Sequence, residues 1–256
     1  PSVLLRYLDA VRDFYRAAYA LNVPVDIIST EHSLEQYQVV VAPLLYMVKR
    51  GYEKKLKDYV RQGGTFVASY FSGIVDEHDL VDCGGYPGRL RELLGIWVEE
   101  SDALPLGEQN AISYGGTRYP ADILCDLMHL EGAQALANYE EDFYAKTPAV
   151  TVNEYGFGKA YYVGTHSDPA FYEAFMHKLF AQAGIKPVHH TPSGVEAAVR
   201  ENAGGRYLFL LNHTAEEKTV VLEENYKDLL DGRMYAQQEE IVLKARDVRL
   251  LCACCR

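Results

Sequence analysis

The first twenty residues repeat apolar side chains with the period of an α-helix. The repeat advances in steps of three and four, through Leu4, Leu8, Val11, Tyr15, Ala18 and Leu21. This spacing predicts a helix over Val3 to Leu21, of about five turns, that carries one apolar stripe. Asparagine commonly ends a helix, and we therefore place the helix end at Asn22.

Short apolar runs and amphipathic segments alternate over the next seventy residues. The predicted elements are a strand at Val25–Ile28, a turn at Ser33–Tyr37, a strand at Val39–Ala42, a helix at Tyr52–Gln62, a strand at Thr65–Tyr70 and a helix at Pro87–Gly95. The continuous apolar run Val39–Ala42 is typical of a strand that is buried on both faces. Strands and helices that alternate with short connections predict a βαβ-built sheet covered by helices.

The pattern changes after Ala111, where short strands separated by turn residues continue to Thr165. A predicted helix at Ala170–Gly184 follows, with its apolar side formed by Phe171, Phe175, Leu179 and Phe180. Beyond Pro187, alternating runs predict a small antiparallel β domain of about 60 residues. Its predicted strands are Val195–Val199, Arg206–Asn212, Lys218–Glu223, Glu240–Leu243 and Val248–Ala253. We therefore expect two domains, residues 1–187 and 188–256.

A doubly wound sheet normally begins with a strand before its first helix, whereas this chain opens in a helix. We expect the resulting sheet edge to be filled by another segment or a neighbouring molecule, or to be disordered. Restoring about 15 upstream residues should then raise the melting temperature, because the open edge would gain a paired strand.

Composition narrows the possible functions. The 256 residues are 48% hydrophobic and 24% charged, which is an ordinary globular balance. A formal net charge of -11 argues against nucleic acid and anionic membrane partners, and no apolar run approaches the length of about 20 residues that spans a bilayer. Five cysteines, an odd number, fit a reducing compartment better than a disulfide framework, and this predicts the cytoplasm. Twenty tyrosines suit large protein interfaces and also carbohydrate-contacting surfaces.

One short motif, Asn153-Glu154 followed by Tyr and Gly, matches the way many retaining glycosidases present their acid/base residue. Retention needs two opposed carboxylates about 5 to 5.5 Å apart. The surrounding segment, Thr151–Thr165, predicts a strand, a Gly-Phe-Gly turn and a second strand, which places Glu154 near a hairpin tip. We therefore interpret Glu154 as a solvated turn residue and predict no catalytic residue in the chain.

No pattern predicts a bound metal or cofactor. The acidic runs Asp76–Asp79 and Glu140–Asp142 lack the spacing of a calcium loop, which favours solvated loops. Histidines without zinc-binding spacing are His166, His177, His189 and His190. The terminal cysteines are Cys252, Cys254 and Cys255, and they fit a strand with free thiols better than a closed thiolate cage.

The strongest candidate for a functional surface follows the predicted strand Thr65–Tyr70. In open α/β sheets, ligands bind outside the carboxyl ends of the strands. The residues that leave this strand end are Tyr70, Phe71, Ser72, Gly73, Asp76 and Glu77. The alternative interpretation is a packed connection beneath a neighbouring loop.

Several strings of residues follow one another as specific, non-generic combinations. The strings are Tyr37–Val48, Gly63–Glu77, Gly84–Gly88, Leu94–Ile96, His129–Ala133, Pro148–Val150, Tyr161–Thr165 and Leu208–His213. These strings resemble the region that follows the catalytic barrel in glycoside hydrolase family 42 β-galactosidases. They cover nearly the whole chain in order.

The resemblance implies a flavodoxin-like, class I glutamine-amidotransferase-like trimerisation domain followed by a small β domain, without the catalytic (β/α)8 barrel. The implied parent hydrolyses terminal β-D-galactosides with retention, through two barrel glutamates that have no counterpart here and without an obligatory cofactor. The implied partners are its own barrel and further copies in a homotrimer. Amidotransferase relatives carry a cysteine in the elbow where this chain has Ser69–Ser72, so that activity is not implied.

Two hypotheses follow for the function of the chain. The first is a non-catalytic assembly module whose sheet domain holds subunits together. The second is a stand-alone amidotransferase-like or sugar-binding domain, which requires a ligand pocket near Tyr70–Gly73. Calorimetry with galactose or glutamine distinguishes the two.

Overall fold

The computed structural model describes residues 4–253, and the chain separates into two compact units. The first unit contains the chain up to Tyr15 together with Ile27–Ala183, and the second contains Arg16–Asp26 and the chain from Gly184. The helices are α1 (Tyr7–Ala20), α2 (Tyr52–Arg61), α3 (Arg91–Leu94) and α4 (Pro169–Gln182), with a 3-10 turn at Gly88–Leu90. The predicted domain boundary at 187/188 stays a prediction.

The first unit is built on a mixed sheet. Its strands are β1 (Val39–Ala42), β2 (Thr65–Ser69), β3 (Ile96–Ala103), β4 (Asn110–Tyr114), β5 (Thr117–Leu130), β6 (Gln134–Tyr139), β7 (Pro148–Tyr155), β8 (Gly158–Val163) and β9 (Thr165–His166). Their order is β1-β2-β8-β7-β6-β4-β5-β3, with β9 paired to β5. β1, β2 and β8 run parallel, and the other pairings are antiparallel.

Strong local periodicity placed several elements correctly. The predictions of α2, β2, α4 and the strand-turn-strand of β7 and β8 are confirmed. α2 buries Leu56 and Val60, as its apolar spacing requires. α4 begins with Pro169 after Asp168, whose carboxylate accepts a hydrogen bond from the backbone N–H of Phe171 at 2.9 Å.

α1 is confirmed as a helix, but its outward face carries part of the apolar stripe seen in the sequence. The buried residues of α1 are Ala10, Phe14, Ala17 and Ala18. Leu8 and Tyr15, which belong to the sequence stripe, are 63% and 44% exposed. Three of the four buried residues are alanines, whose small side chains allow the helix to pack closely. The fourth, Phe14, contacts the Tyr172 ring edge-on, with the ring centroids 4.9 Å apart.

Two predictions for the start of the sheet are wrong. Val25–Ile28 forms no strand among the described residues: Pro24 lacks an N–H donor, and Ile27 is 76% exposed. β1 is half-buried rather than buried on both faces, because it lies at the edge of the sheet. Solvent therefore reaches its side chains from the open edge.

The second unit is an antiparallel β structure around its own core. Its strands are β10 (Val195–Asn202), β11 (Gly205–Asn212), β12 (Lys218–Val221), β13 (Tyr226–Asp228), β14 (Met234–Tyr235), β15 (Glu240–Leu243) and β16 (Val248–Ala253). β13 and β14 were not predicted, although Asp231-Gly232 between them is a hairpin signal. Its core includes Leu208, Leu210, Ile241, Leu243 and Leu251.

Candidate functional site

The predicted surface residues follow β2, where the carboxyl ends of the parallel strands meet. The loop after β2 is tied to the loop after β1 by backbone hydrogen bonds. The N–H of Gly73 donates to the carbonyl of Leu45 at 2.8 Å, and the N–H of Val48 donates to Val75 at 2.9 Å. The two loops therefore continue the β1–β2 pairing beyond the strands and form one surface.

Close to the end of each of these two strands, one non-glycine residue lies in the left-handed backbone region. Leu44 has φ 45° and Phe71 has φ 59°. The Leu44 N–H donates to Ser69 Oγ at 2.9 Å, and the Phe71 N–H donates to Asp126 Oδ2 at 3.2 Å. Such conformations cost of order 1–3 kcal/mol each and cluster at functional sites. The strain marks both strand ends as candidates for function.

The elbow after β2 has no free hydroxyl nucleophile among its serines. Ser72 Oγ donates to the carbonyl of Ser69 at 2.6 Å and accepts from the N–H of Leu45 at 2.9 Å. Both serines are fully buried. A nucleophile elbow presents its reactive side chain at the strained position, which Phe71 occupies here. The geometry therefore supports a structural role for this elbow rather than acyl transfer.

A buried carboxylate that the sequence analysis missed accepts a hydrogen bond from the loop after β2 and so holds this loop in place. Asp126 on β5 accepts from Ser101 Oγ at 2.5 Å and from the Tyr162 hydroxyl at 2.6 Å, in addition to the Phe71 N–H. Burial raises the pKa of Asp126 to about 6, against the opposing effect of these hydrogen bonds. No local pattern marks Asp126, because its partners come from distant strands.

Gly73 allows a close approach between the β2 loop and the following segment. Its φ is +69°, and a Cβ at this position would lie 2.1 Å from the carbonyl oxygen of Pro87. The segment before Pro87 is braced in turn by Trp97, because a Cβ on Gly85 would lie 2.2 Å from Trp97 Nε1. The indole stacks on His129 at 4.8 Å and carries the Arg91 guanidinium at 5.7 Å on its ring.

The segment Asp76–Asp82, which we call the acidic loop, is organised around Arg89. The guanidinium lies 3.7 Å from Asp76, 3.6 Å from Glu77 and 3.4 Å from Asp82. Asp76 accepts hydrogen bonds from the N–H groups of His78 and Leu80, and these lower its pKa. Hydrogen bonds from backbone N–H groups, including that of Arg50, likewise lower the pKa of Glu77.

The six predicted residues are divided between interior and surface. Tyr70, Ser72 and Gly73 are buried, whereas Phe71, Asp76 and Glu77 are partly exposed. Exposed apolar residues beside them were not singled out from the sequence. They are Tyr46, Met47, Leu80 and Val81. Tyr46 connects them to the predicted set, because its ring stacks on Phe71 at 5.5 Å and its hydroxyl donates to Asp79 at 3.3 Å.

A charged cluster lies at the carboxyl end of β8, beside Tyr70. His166 Nδ1 contacts Asp122, its Nε2 lies 3.2 Å from Asp13 on α1, and the Tyr70 ring lies edge-on at 6.5 Å. Burial by itself lowers the pKa of His166, but Asp122 and Asp13 outweigh it and raise that pKa to about 9. His166 is therefore a cation at neutral pH that ties α1 to the sheet.

Glu154 lies on the exposed side of β7, next to the hairpin turn. It borders a cavity of 290 Å³ whose lining includes Lys159, Tyr161, Phe175 and Lys178, but no second carboxylate. Opposed acids of the kind that retaining glycosidases need are therefore not assembled around this cavity. Within residues 4–253, no cluster of three His, Cys, Asp or Glu side chains has the geometry of a metal site.

The remaining candidates from the sequence are scattered. His177 is exposed on α4, and His189 and His190 lie in the second unit, where both are within 4.0 Å of Glu223. Cys252 is half-buried on β16. Cys254 and Cys255 lie outside the described residues.

Comparison with known proteins identifies the family. A family model described as the beta-galactosidase trimerisation domain matches residues 1–186, and one described as the beta-galactosidase C-terminal domain matches residues 194–252. The chain belongs to the glycoside hydrolase family 42 β-galactosidases. Membership in this family agrees with the resemblance carried by the sequence strings.

Curated relatives and solved structures agree with this membership. The chain is 45% identical over 251 residues to the beta-galactosidase BgaP of Planococcus sp. (strain L4), covering 95% of this chain and 37% of that protein. It is 40% identical over 253 residues to bgaB of Geobacillus kaustophilus, covering 98% and 38%. The chain therefore spans well under half the length of these relatives.

The fold agrees with a crystal structure of beta-galactosidase from Bacillus circulans sp. alkalophilus. The TM-score is 0.95 at 44% identity, over 99% of this chain and 38% of that one. The beta-galactosidase of Rahnella sp. R3 gives a TM-score of 0.89 at 40% identity, over 96% of this chain and 37% of that one.

Among the described helices of this chain, none has both the length and the apolar character needed to span a bilayer.

Proposed function

We propose that this chain is the non-catalytic, carboxyl-terminal assembly region of a β-galactosidase. The carrying observation is that the two matching families, named for the trimerisation and C-terminal domains, together account for residues 1–186 and 194–252. The proposed parent is a homotrimer in the cytoplasm that hydrolyses terminal β-D-galactosides with retention in carbohydrate metabolism. Its catalytic barrel, which we place outside this chain, supplies both catalytic glutamates.

We further propose a flavodoxin-like, amidotransferase-like domain over residues 1–187 and a small β domain over residues 188–256. The parallel set β1, β2 and β8 supports the first assignment, because α2 connects β1 to β2 as a crossover helix. We expect neither a cofactor nor a nucleic-acid or membrane partner.

The loops after β1 and β2 form the proposed contact surface of this module. Strained backbone at Leu44 and Phe71 fixes the loops, and the buried Asp126 holds the second one in place. A group of exposed apolar residues beside carboxylates is typical of a surface that contacts another protein, and less typical of a surface that faces only solvent. We propose that Phe71, Asp76 and Glu77 act there, with Tyr70, Ser72 and Gly73 as their support.

The test is hydrolysis of an aryl β-galactoside by the purified chain. We expect no turnover, since the proposed catalytic pair lies elsewhere. The variant Glu154→Ala is the control, because Glu154 is the residue whose sequence context most resembles an acid/base. Turnover by the wild-type chain that disappears in this variant would overturn the proposal.

A further inference from the structure

The cavity of 290 Å³ that Glu154 borders lies between α4 and one face of the sheet. Lys159 and Tyr161 are two residues apart on β8, so both face the cavity from the same side of the sheet. Lys178 and Gln182 are four residues apart on α4 and line the opposite wall. The assembly function proposed above uses none of these side chains.

The charge at this cavity is positive, unlike that of the chain as a whole. Its charged lining consists of Lys159, Lys178 and Glu154, which leaves a formal charge of +1, whereas the whole chain carries -11. Lys159 lies directly opposite Glu154 in the pairing of β7 with β8. Within residues 4–253, neither lysine nevertheless has a carboxylate within 4.0 Å. Two ammonium groups without a carboxylate partner favour an anionic ligand.

The other polar side chains at the cavity suit hydroxyl groups. The Tyr161 hydroxyl donates to Gln182 Oε1 at 2.8 Å, so the Gln182 amide is oriented while its N–H groups keep their donor capacity. Gln134 and Glu154 are exposed at the cavity, and neither side chain has a hydrogen-bond partner in the part of the chain that the structure describes. A sugar hydroxyl both donates and accepts, and it therefore matches amide donors beside a carboxylate acceptor.

The size of the cavity and its charge narrow the ligand further. Its 290 Å³ lies near the lower end of the range of ligand pockets, which begins at about 300 Å³. Such a space holds about ten water molecules, which suits a six-carbon sugar acid of about 13 non-hydrogen atoms better than acetate or phosphate. One carboxylate would neutralise the formal charge of +1, whereas a phosphate dianion would exceed it.

We propose that this cavity is a binding site for a sugar acid, a six-carbon polyhydroxylated monocarboxylate. Lys159 and Lys178 contact its carboxylate, and Glu154, Gln134 and Gln182 contact its hydroxyl groups. This inference goes beyond the proposed assembly function and does not depend on it.

The experiment is isothermal titration calorimetry of the purified 256-residue chain with D-gluconate and with sorbitol, at physiological salt. Sorbitol has the same carbon chain, with a hydroxymethyl group in place of the carboxylate. Gluconate should bind with a dissociation constant of about 1 mM or lower, as expected for a ligand of its size, and sorbitol at least about tenfold more weakly. Absence of saturable gluconate binding, or equal binding of the two compounds, would overturn the inference.

Acetate tests the contribution of the hydroxyl groups, because it carries the carboxylate alone. It should bind at least about tenfold more weakly than gluconate. Acetate that binds as tightly as gluconate would overturn the assignment to a sugar acid.

Lys178→Gln and Lys159→Gln test the charged contacts. Each removes a positive charge but keeps a hydrogen-bond donor, and each should raise the dissociation constant of gluconate at least about tenfold. Lys54→Gln is the matched control, because Lys54 is an exposed helix lysine on α2 that does not line this cavity. It should leave the dissociation constant unchanged. Equal weakening by all three variants would overturn the inference, because the total charge of the chain would then explain the effect. Circular dichroism checks that each variant is folded.

Glu154→Gln tests the sign of the charge effect. It removes the negative charge of the cavity and keeps an acceptor for hydroxyl groups, so gluconate should bind about threefold more tightly. Weaker binding of gluconate by this variant would contradict the proposed arrangement of charges around the ligand.

Discussion

At the scale of single residues, the candidate surface depends on buried polar groups that hold strained loops in place. Asp126 and His166 are the clearest cases, because each joins segments that are far apart in the sequence. Both have pKa values displaced from their ordinary range, and both therefore link the stability of the first unit to pH.

Asp126 should make the wild-type protein less stable as pH rises. Its folded-state pKa of about 6 lies above its ordinary value of 3.8, so its favourable contribution is complete below 3.8 and is lost as pH rises through 6. Asp126→Asn cannot ionise and should escape this loss. Urea unfolding from pH 4.5 to 7.5 should show the wild type losing about 2 kcal/mol relative to the variant. Parallel pH profiles would contradict this expectation.

His166 should act in the same direction at higher pH. Its folded-state pKa of about 9 exceeds the ordinary 6.5, so its ion pairs stabilise fully below 6.5 and lose their effect as pH rises through 9. His166→Gln should therefore cost about 2–3 kcal/mol at pH 6 and little at pH 10. His177→Gln on the exposed side of α4 is the control. A cost that does not change with pH would show that packing, not charge, explains the effect.

At the scale of elements, periodicity predicted what depends on the segment itself. The apolar spacing of α2 and α4 and the Gly-Phe-Gly turn after β7 are local signals, and all three elements formed as expected. Whether Val39–Ala42 is a central or an edge strand depends on its neighbours, which no local pattern contains. Val25–Ile28 forms no strand for a different reason, because the preceding Pro24 lacks an N–H donor for strand pairing.

The loop after β2 should be sensitive to one methyl group. Gly73→Ala combines a left-handed backbone with a Cβ placed 2.1 Å from the Pro87 carbonyl oxygen, and should cost roughly 3 kcal/mol. Gly184→Ala is a matched control, since Gly184 has φ +70° and nothing within 4 Å of its Cβ position. It should cost roughly 1 kcal/mol. Chemical denaturation measures the free energy of unfolding of both variants. An equal loss of stability in the two would exclude the close contact at Gly73 as the cause.

At the scale of the whole molecule, the sequence led to the family and to a helix-covered sheet followed by a small antiparallel β structure. It did not separate the partly exposed Asp76 and Glu77 from the buried Tyr70 and Ser72, because burial is set by the loop after β1. The family strings were informative because they are specific combinations of residues in order. Their agreement with the relatives concerns the family and the fold.

The packing around Trp97 has a practical consequence for spectroscopy. Trp97 is the single tryptophan of the chain, and it is enclosed by His129, Arg91 and the backbone at Gly85. Its fluorescence therefore reports on a single segment of the chain, the one that contains Gly85 and contacts Gly73 at Pro87. Any event that shifts this segment, including occupation of the nearby loops, should change the emission without an added label.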